Sequence, residues 1–260
     1  MTERSPCAWL FGDSIFSGKA LAKDAKIPSA LRSPAATMNL LLGADQVARA
    51  GRAGQPDNTE AAARELREFL KDGPAQDGDI VFLLDVAHHP CDPAKSAMQW
   101  LTLRAAALSV RPIRLFMCTA FDNVSADRPP FVGQPAEPLM HDLAFGDRTH
   151  NDAVRDAAGA PMSGLGTTSL IELGAAMRAL HRDLLKAGPG AYLSDDIHLN
   201  VWGQTGLAII LCRHGWPDVS LRFDDVAVAL REMGNGEAVK ALGELLNGKA
   251  GGGITDCAPR

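Results

Sequence analysis

No two of the five cysteines (Cys7, Cys91, Cys118, Cys212 and Cys257) form a CxxC pair. An odd, scattered set excludes a disulfide framework and reads as reduced thiols. There is no run of Lys and Arg, and the net charge is −5, which together argue against a nucleic-acid partner. No apolar stretch reaches the length of a membrane span, so no membrane span is expected. The opening Met1-Thr2-Glu3-Arg4-Ser5-Pro6 is polar, and the apolar stretch after it is far too short for a secretory leader. No internal repeat is visible. These absences lead to the expectation of a cytoplasmic chain. What the sequence does hold is apolar side chains: 46% of its 260 residues are hydrophobic, enough for a substantial core in one α/β domain or two small ones.

The apolar residues are grouped in a way that alternates strands with helices. Residues 8–12 form an apolar run that ends in Gly12-Asp13-Ser14, as a buried strand ends at a site. A turn then leads through Ser17-Gly18-Lys19 to a short helical piece and a loop with Pro28 and Pro34. Residues 46–50 read as a second strand ending at Gly51-Arg52-Ala53-Gly54. Asn58 or Thr59 caps a helix over 60–71, in which Ala62, Leu66, Phe69 and Leu70 recur at helical spacing. Asp79 to Asp85 brackets the clearest central strand, a helix follows over about 94–110, and 113–119 is another buried strand. This alternation predicts a mainly parallel sheet with helices on both faces, a three-layer α/β/α sandwich of flavodoxin-like type.

Residues 120–165 interrupt the rhythm with prolines and glycines and are read as one long insertion, either a lid or a surface elaboration. Helical spacing returns over 168–187, where Leu170, Leu173, Ala176, Met177, Leu180 and Leu184 share a face. Residues 201–213 read as a buried helix. Two further helices, over 224–233 and 237–246, make 216–260 a C-terminal extension to a main domain of 1–215, with the tail from Gly248 frayed.

Two short blocks carry chemistry. Ser14 stands where a strand stops in a fold that binds its ligands at strand carboxyl ends. Near the other end runs Asp195-Asp196-Ile197-His198-Leu199-Asn200. A serine, a histidine and a carboxylate are the parts of a nucleophilic hydrolase: the hydroxyl needs a base, imidazole can take and return a proton near neutrality, and a carboxylate holds the tautomer. A spacing of three puts Asp195 and His198 on one turn or short loop, with Asp196 as the rival carboxylate. The stretch Gly12 to Ala20 has a superficial likeness to a phosphate-binding loop. It has five residues between its glycines rather than four, and Ala20 cannot ligate magnesium.

With these blocks the chain resembles the SGNH hydrolases, the GDSL esterase/lipase family. Gly12-Asp13-Ser14 matches the first block, and Gly51-x-x-Gly54 the second. Asp195-x-x-His198 with Asn200 and Gly203 matches the last, where Leu199 replaces the family's proline. The resemblance spans residues 8 to about 213. It implies Ser14 as nucleophile, His198 as general base and Asp195 as its orienting partner. It also implies an oxyanion hole built from the N–H groups of Ser14 and Gly54 (or Gly51) and an asparagine of the third block. That block departs from the pattern: Asp85 stands for its glycine, and the asparagine falls on Ala87, or on His88 if the loop shifts by one. His88 is therefore expected to replace the missing donor, with His89 the alternative. His88, His89, Cys91 and Asp92 are all metal-ligand types. Adjacent histidines do not face one way in regular structure, however, and no second cluster is apparent, so neither a metal nor another cofactor is expected. The resemblance implies hydrolysis of carboxylic esters through an acyl-enzyme, on a small-molecule or glycan ester such as an O-acetyl sugar. Acyl transfer by the same triad, or a weakened binding protein of the same fold, are the alternatives.

Overall fold

The computed structural model describes residues 4–12, 14–18, 21, 24–51, 58–84, 93–120, 150–177, 179–180, 198–234 and 236–247. The chain divides into two compact units: Met1–Asp13 with Gln46–Glu172, and Ser14–Asp45 with Leu173–Arg260.

The first unit holds the sheet. Its strands are β1 (Ala8–Gly12), β2 (Val47–Gly51), β3 (Ile80–Leu84), β4 (Arg114–Cys118) and β5 (Thr167–Ile171). All neighbours are parallel, in the order β2-β1-β3-β4-β5. Parallel neighbours require crossovers, and three of them contain helices of this unit: α3 (Thr59–Asp72), α4 (Pro93–Leu108) and α5 (His150–Gly159). Phe11, Val81, Leu83, Leu115 and Met117 pack with Leu66 and Leu70 of α3, Trp100 and Leu103 of α4, and Val154 of α5. The alternate strand residues Leu10, Ile80, Phe82 and Leu84 are also buried. Burial on both sides is why these strands read as unbroken apolar runs. The fold is α/β with an all-parallel sheet, compatible with a three-layer sandwich.

A buried carboxylate ties the amino ends of the strands together. Asp79, just ahead of β3, accepts from Arg4 Nη2 at 2.6 Å and the Cys7 N–H at 3.0 Å on one oxygen. The other oxygen accepts from Trp9 Nε1 at 2.9 Å and the Gln76 N–H at 3.0 Å. Its carbonyl accepts the Arg114 N–H at 2.9 Å.

The second unit is helical: α1 (Ser14–Ser17), a 3-10 turn (Ser29–Leu31), α2 (Pro34–Leu42), a helical stretch over 173–177 and 179–180, α6 (Val201–Gly215), α7 (Phe223–Arg231) and α8 (Gly236–Leu246). Packing joins α6 to α2 and α8, and α7 to the same two helices. Gln204 of α6 donates from Nε2 to the Leu31 carbonyl at 2.6 Å. Residues 216–246 thus pack with 14–45 and 201–215 in one unit.

Several elements differ from the sequence reading. A short helix already spans Ser14–Ser17, ahead of Gly18, and the helical piece expected beyond Lys19 falls partly outside the described residues. Pro34, expected in a loop, is the first residue of α2: Ser33 Oγ accepts the Ala36 N–H at 3.2 Å, and proline supplies a preset φ at a position with no helical N–H partner to lose. The stretch expected as one helix from 168 starts as strand β5, and helix begins only at 173. The β-branched pair Thr167-Thr168 and an edge position with alternate residues exposed account for it. Of residues 120–165, expected as one insertion, 121–149 lie outside the described residues, and the rest contains α5. Its apolar face is only Ala153, Val154 and Ala157, too small to mark a periodicity. Arg104 of α4 holds it, donating from Nη1 to the Ala157 and Ala160 carbonyls at 2.7 and 2.6 Å and from Nε to Thr168 Oγ1 at 3.0 Å. Burial lowers the pKa of this guanidinium.

Candidate active site

The strand order defines where a ligand belongs. From β1 the chain goes to β2 on one side, and β3, on the other side of β1, leads outward to β4. The two directions diverge at the carboxyl ends of β1 and β3, which register directly as Gly12 opposite Leu84. Doubly wound sheets of this order bind ligands at that switch point.

Ser14 follows Gly12 by two residues and opens α1. Gly51, the alternative oxyanion glycine, ends β2 opposite Phe11, where the β1–β2 register slips between Leu10 and Phe11. A Cβ on Gly51 would stand 2.7 Å from Phe11 Cε1, so this glycine has a packing reason of its own. The Phe11 ring also meets Phe69 edge-on, with centroids 5.2 Å apart.

In the second unit, His198 is half-buried and lies just ahead of α6. Leu199 beside it is buried, and Asn200 is the N-cap of the helix, its Oδ1 accepting the N–H groups of Trp202 at 3.0 Å and Gly203 at 2.9 Å. Gly203 is itself buried. Of the predicted site residues, the described ones are thus Ser14, by its backbone, and His198, both in the second unit, and the alternative glycine Gly51, in the first. Asp195, Asp196, Gly54 and the whole loop Asp85, Ala87, His88, His89, Cys91 and Asp92 lie outside the described residues. Among the described residues no group of three or more His, Cys, Asp or Glu side chains is arranged to hold a metal ion. No helix among them is long and apolar enough to cross a membrane.

Two polar anchors escape a reading of the sequence. Asp79 looks like the polar border of a strand, and its four donors come from residues up to 75 positions away. Asn151 follows a stretch whose sequence shows no apolar period, yet its buried amide accepts from the Ala120 N–H at 2.8 Å and donates to the Ala120 carbonyl at 3.2 Å. No protein-family model matches the chain, and no curated protein does either.

Proposed function

We propose that this protein is a serine hydrolase of carboxylic esters, with Ser14 as nucleophile. The observation that carries the reading is topological: in the chain, Ser14 opens a helix two residues after the last residue of β1, and the all-parallel β2-β1-β3-β4-β5 sheet has its switch point at the carboxyl ends of β1 and β3. The half-buried His198 next to a capped helix supports it. Ser14 Oγ attacks the ester carbonyl as its proton passes to His198, whose imidazolium Asp195 steadies. The N–H groups of Ser14 and Gly54, with a donor from His88, hold the oxyanion. Collapse expels the alcohol with the proton from His198. Water, activated by the same imidazole, then releases the acid and restores Ser14. The substrate class that goes with this reading is a short-chain ester, an O-acetyl group on a small molecule or glycan.

Incubation with p-nitrophenyl acetate and with a fluorophosphonate probe, beside Ser14→Ala, tests the reading. Turnover and labelling are expected in the native protein, and both are expected to fall by ~1000-fold or more in the variant. Labelling without turnover would transfer the proposal to acyl transfer onto an alcohol other than water. An unlabelled native protein overturns it.

A further inference from the structure

The connection between His198 and α6 is short and held at both ends of its two residues. Leu199 is 4% exposed. Asn200 has extended backbone (φ −76°, ψ −179°), and three of the first N–H groups of the helix end on it: Trp202 and Gly203 on Oδ1, and Gln204 on its carbonyl at 2.9 Å. The helix so capped is buried along most of its length, from Val201 through Cys212 with Trp202 the exception. It is anchored on its own first turn by Thr205 Oγ1, which donates to the Val201 carbonyl at 2.7 Å, and across the unit by Gln204 on Leu31. A side chain two residues ahead of such a cap inherits its backbone position from the helix, provided the cap holds.

We infer that Asn200 is a positioning residue for His198, its side-chain cap transmitting the fixed placement of α6 to the imidazole. The catalytic consequence rests on the reading of His198 as the general base. The structural consequence does not, and the two are read separately below. A cap that served only to stabilise its helix would be interchangeable with any other cap in the same unit. Ser33, which caps α2 through the Ala36 N–H, supplies that comparison.

The experiment uses the full chain with Asn200→Gly, Asn200→Ser and Ser33→Gly. Glycine is tolerated at N-cap positions, so Asn200→Gly removes the acceptor while leaving the helix able to form, and serine restores an acceptor. The imidazole Cε1–Hε1 resonance of His198 is followed by NMR, assigned by its loss in His198→Gln. It is expected to move toward the position of free histidine in Asn200→Gly, to return in Asn200→Ser, and to stay in place in Ser33→Gly. In parallel, the rate of fluorophosphonate labelling is expected to fall by about 10- to 100-fold in Asn200→Gly, the range of a reacting group displaced by up to an ångström. It should recover in Asn200→Ser and change little in Ser33→Gly. A His198 resonance that does not move in Asn200→Gly, or moves as much in Ser33→Gly, overturns the inference whatever the labelling does. A native protein that is not labelled overturns the hydrolase reading alone, since the NMR comparison still decides the role of Asn200.

Discussion

At the scale of single residues, the largest effect on stability is expected from a buried carboxylate. Asp79 is 1% exposed and meets four donors, two of them backbone N–H groups that cannot move away. Asp79→Ala strands those groups and Trp9 Nε1 together, and is expected to cost ~3–5 kcal/mol in urea unfolding. Arg4→Ala removes one partner that is half exposed (46%), and should cost no more than ~1 kcal/mol. Equal losses in the two variants would refute the view of Asp79 as a hub. Burial also pushes the thiols of Cys118 and Cys212 well above the ordinary thiol value of 9.0. They stay protonated in the folded chain while the unfolded chain loses these protons above about that pH. The folded state then binds more protons, so its stability falls as pH rises past about 9. The alkaline decline in unfolding free energy should therefore be shallower in Cys118→Ala and in Cys212→Ala than in the parent, each measured against its own value at pH 7. The places of Ser14 just beyond a strand and of His198 just ahead of a helix were legible, because each stands against an apolar run. Asp79 and Asn151 were not, because a polar residue beside a strand looks the same whether water or buried N–H groups surround it.

Among the elements, α6 shows how a small residue sets a distance. A Cβ on Gly206 would stand 2.0 Å from Leu180 Cδ2 and 3.6 Å from Leu242 Cδ2, and both leucines are fully buried. Alanine gains about 1 kcal/mol in helix propensity over glycine, but overpacking a buried contact costs about 1–3 kcal/mol. Gly206→Ala is therefore expected to destabilise by up to ~2 kcal/mol. Combined with Leu180→Ala it should destabilise by less than the sum of the two single changes, since each relieves the other. Strict additivity would show that the helical stretch over 173–177 and 179–180 does not rest on this face of α6. The same comparison explains what could be read beforehand. Central strands β1, β3 and β4 stand out because burial on both sides demands an unbroken apolar run. The edge strand β5 does not: Leu170 and Leu173 keep helical spacing with Met177 and Leu180, and nothing local says that the first of them belongs to a strand. The helix α5 is hidden for the opposite reason, since alanines and one valine suffice to cover its contact with α4.

For the molecule as a whole, the two compact units interleave along the chain, and this decides what can be cut away. Residues 14–45 of the second unit are inserted between β1 and β2 of the first, so neither unit is a continuous segment. Residues 216–246 fall in the stretch expected as a C-terminal extension, because it follows the last motif block in the sequence. In the structure they supply Val226, Leu230, Val239, Leu242 and Leu245 to the core, and the Leu245 carbonyl accepts Arg213 Nη1 of α6 at 3.0 Å. Burying five such side chains contributes about 8–15 kcal/mol, an upper range by area but as large as the whole stability of a typical domain. Ending the chain at residue 215 would also leave Gly206 and its neighbours on α6 without α8, and α2 without α7. The truncated chain 1–215 is therefore expected to lose cooperative unfolding in urea and to bind a hydrophobic dye at pH 7, and with the unit that carries both Ser14 and His198 disturbed, to lose fluorophosphonate labelling too. A 1–215 chain that unfolds cooperatively with a midpoint near that of the full protein would instead make 216–246 an accessory, and Leu242 and Leu245 would then be dispensable to the packing of α6.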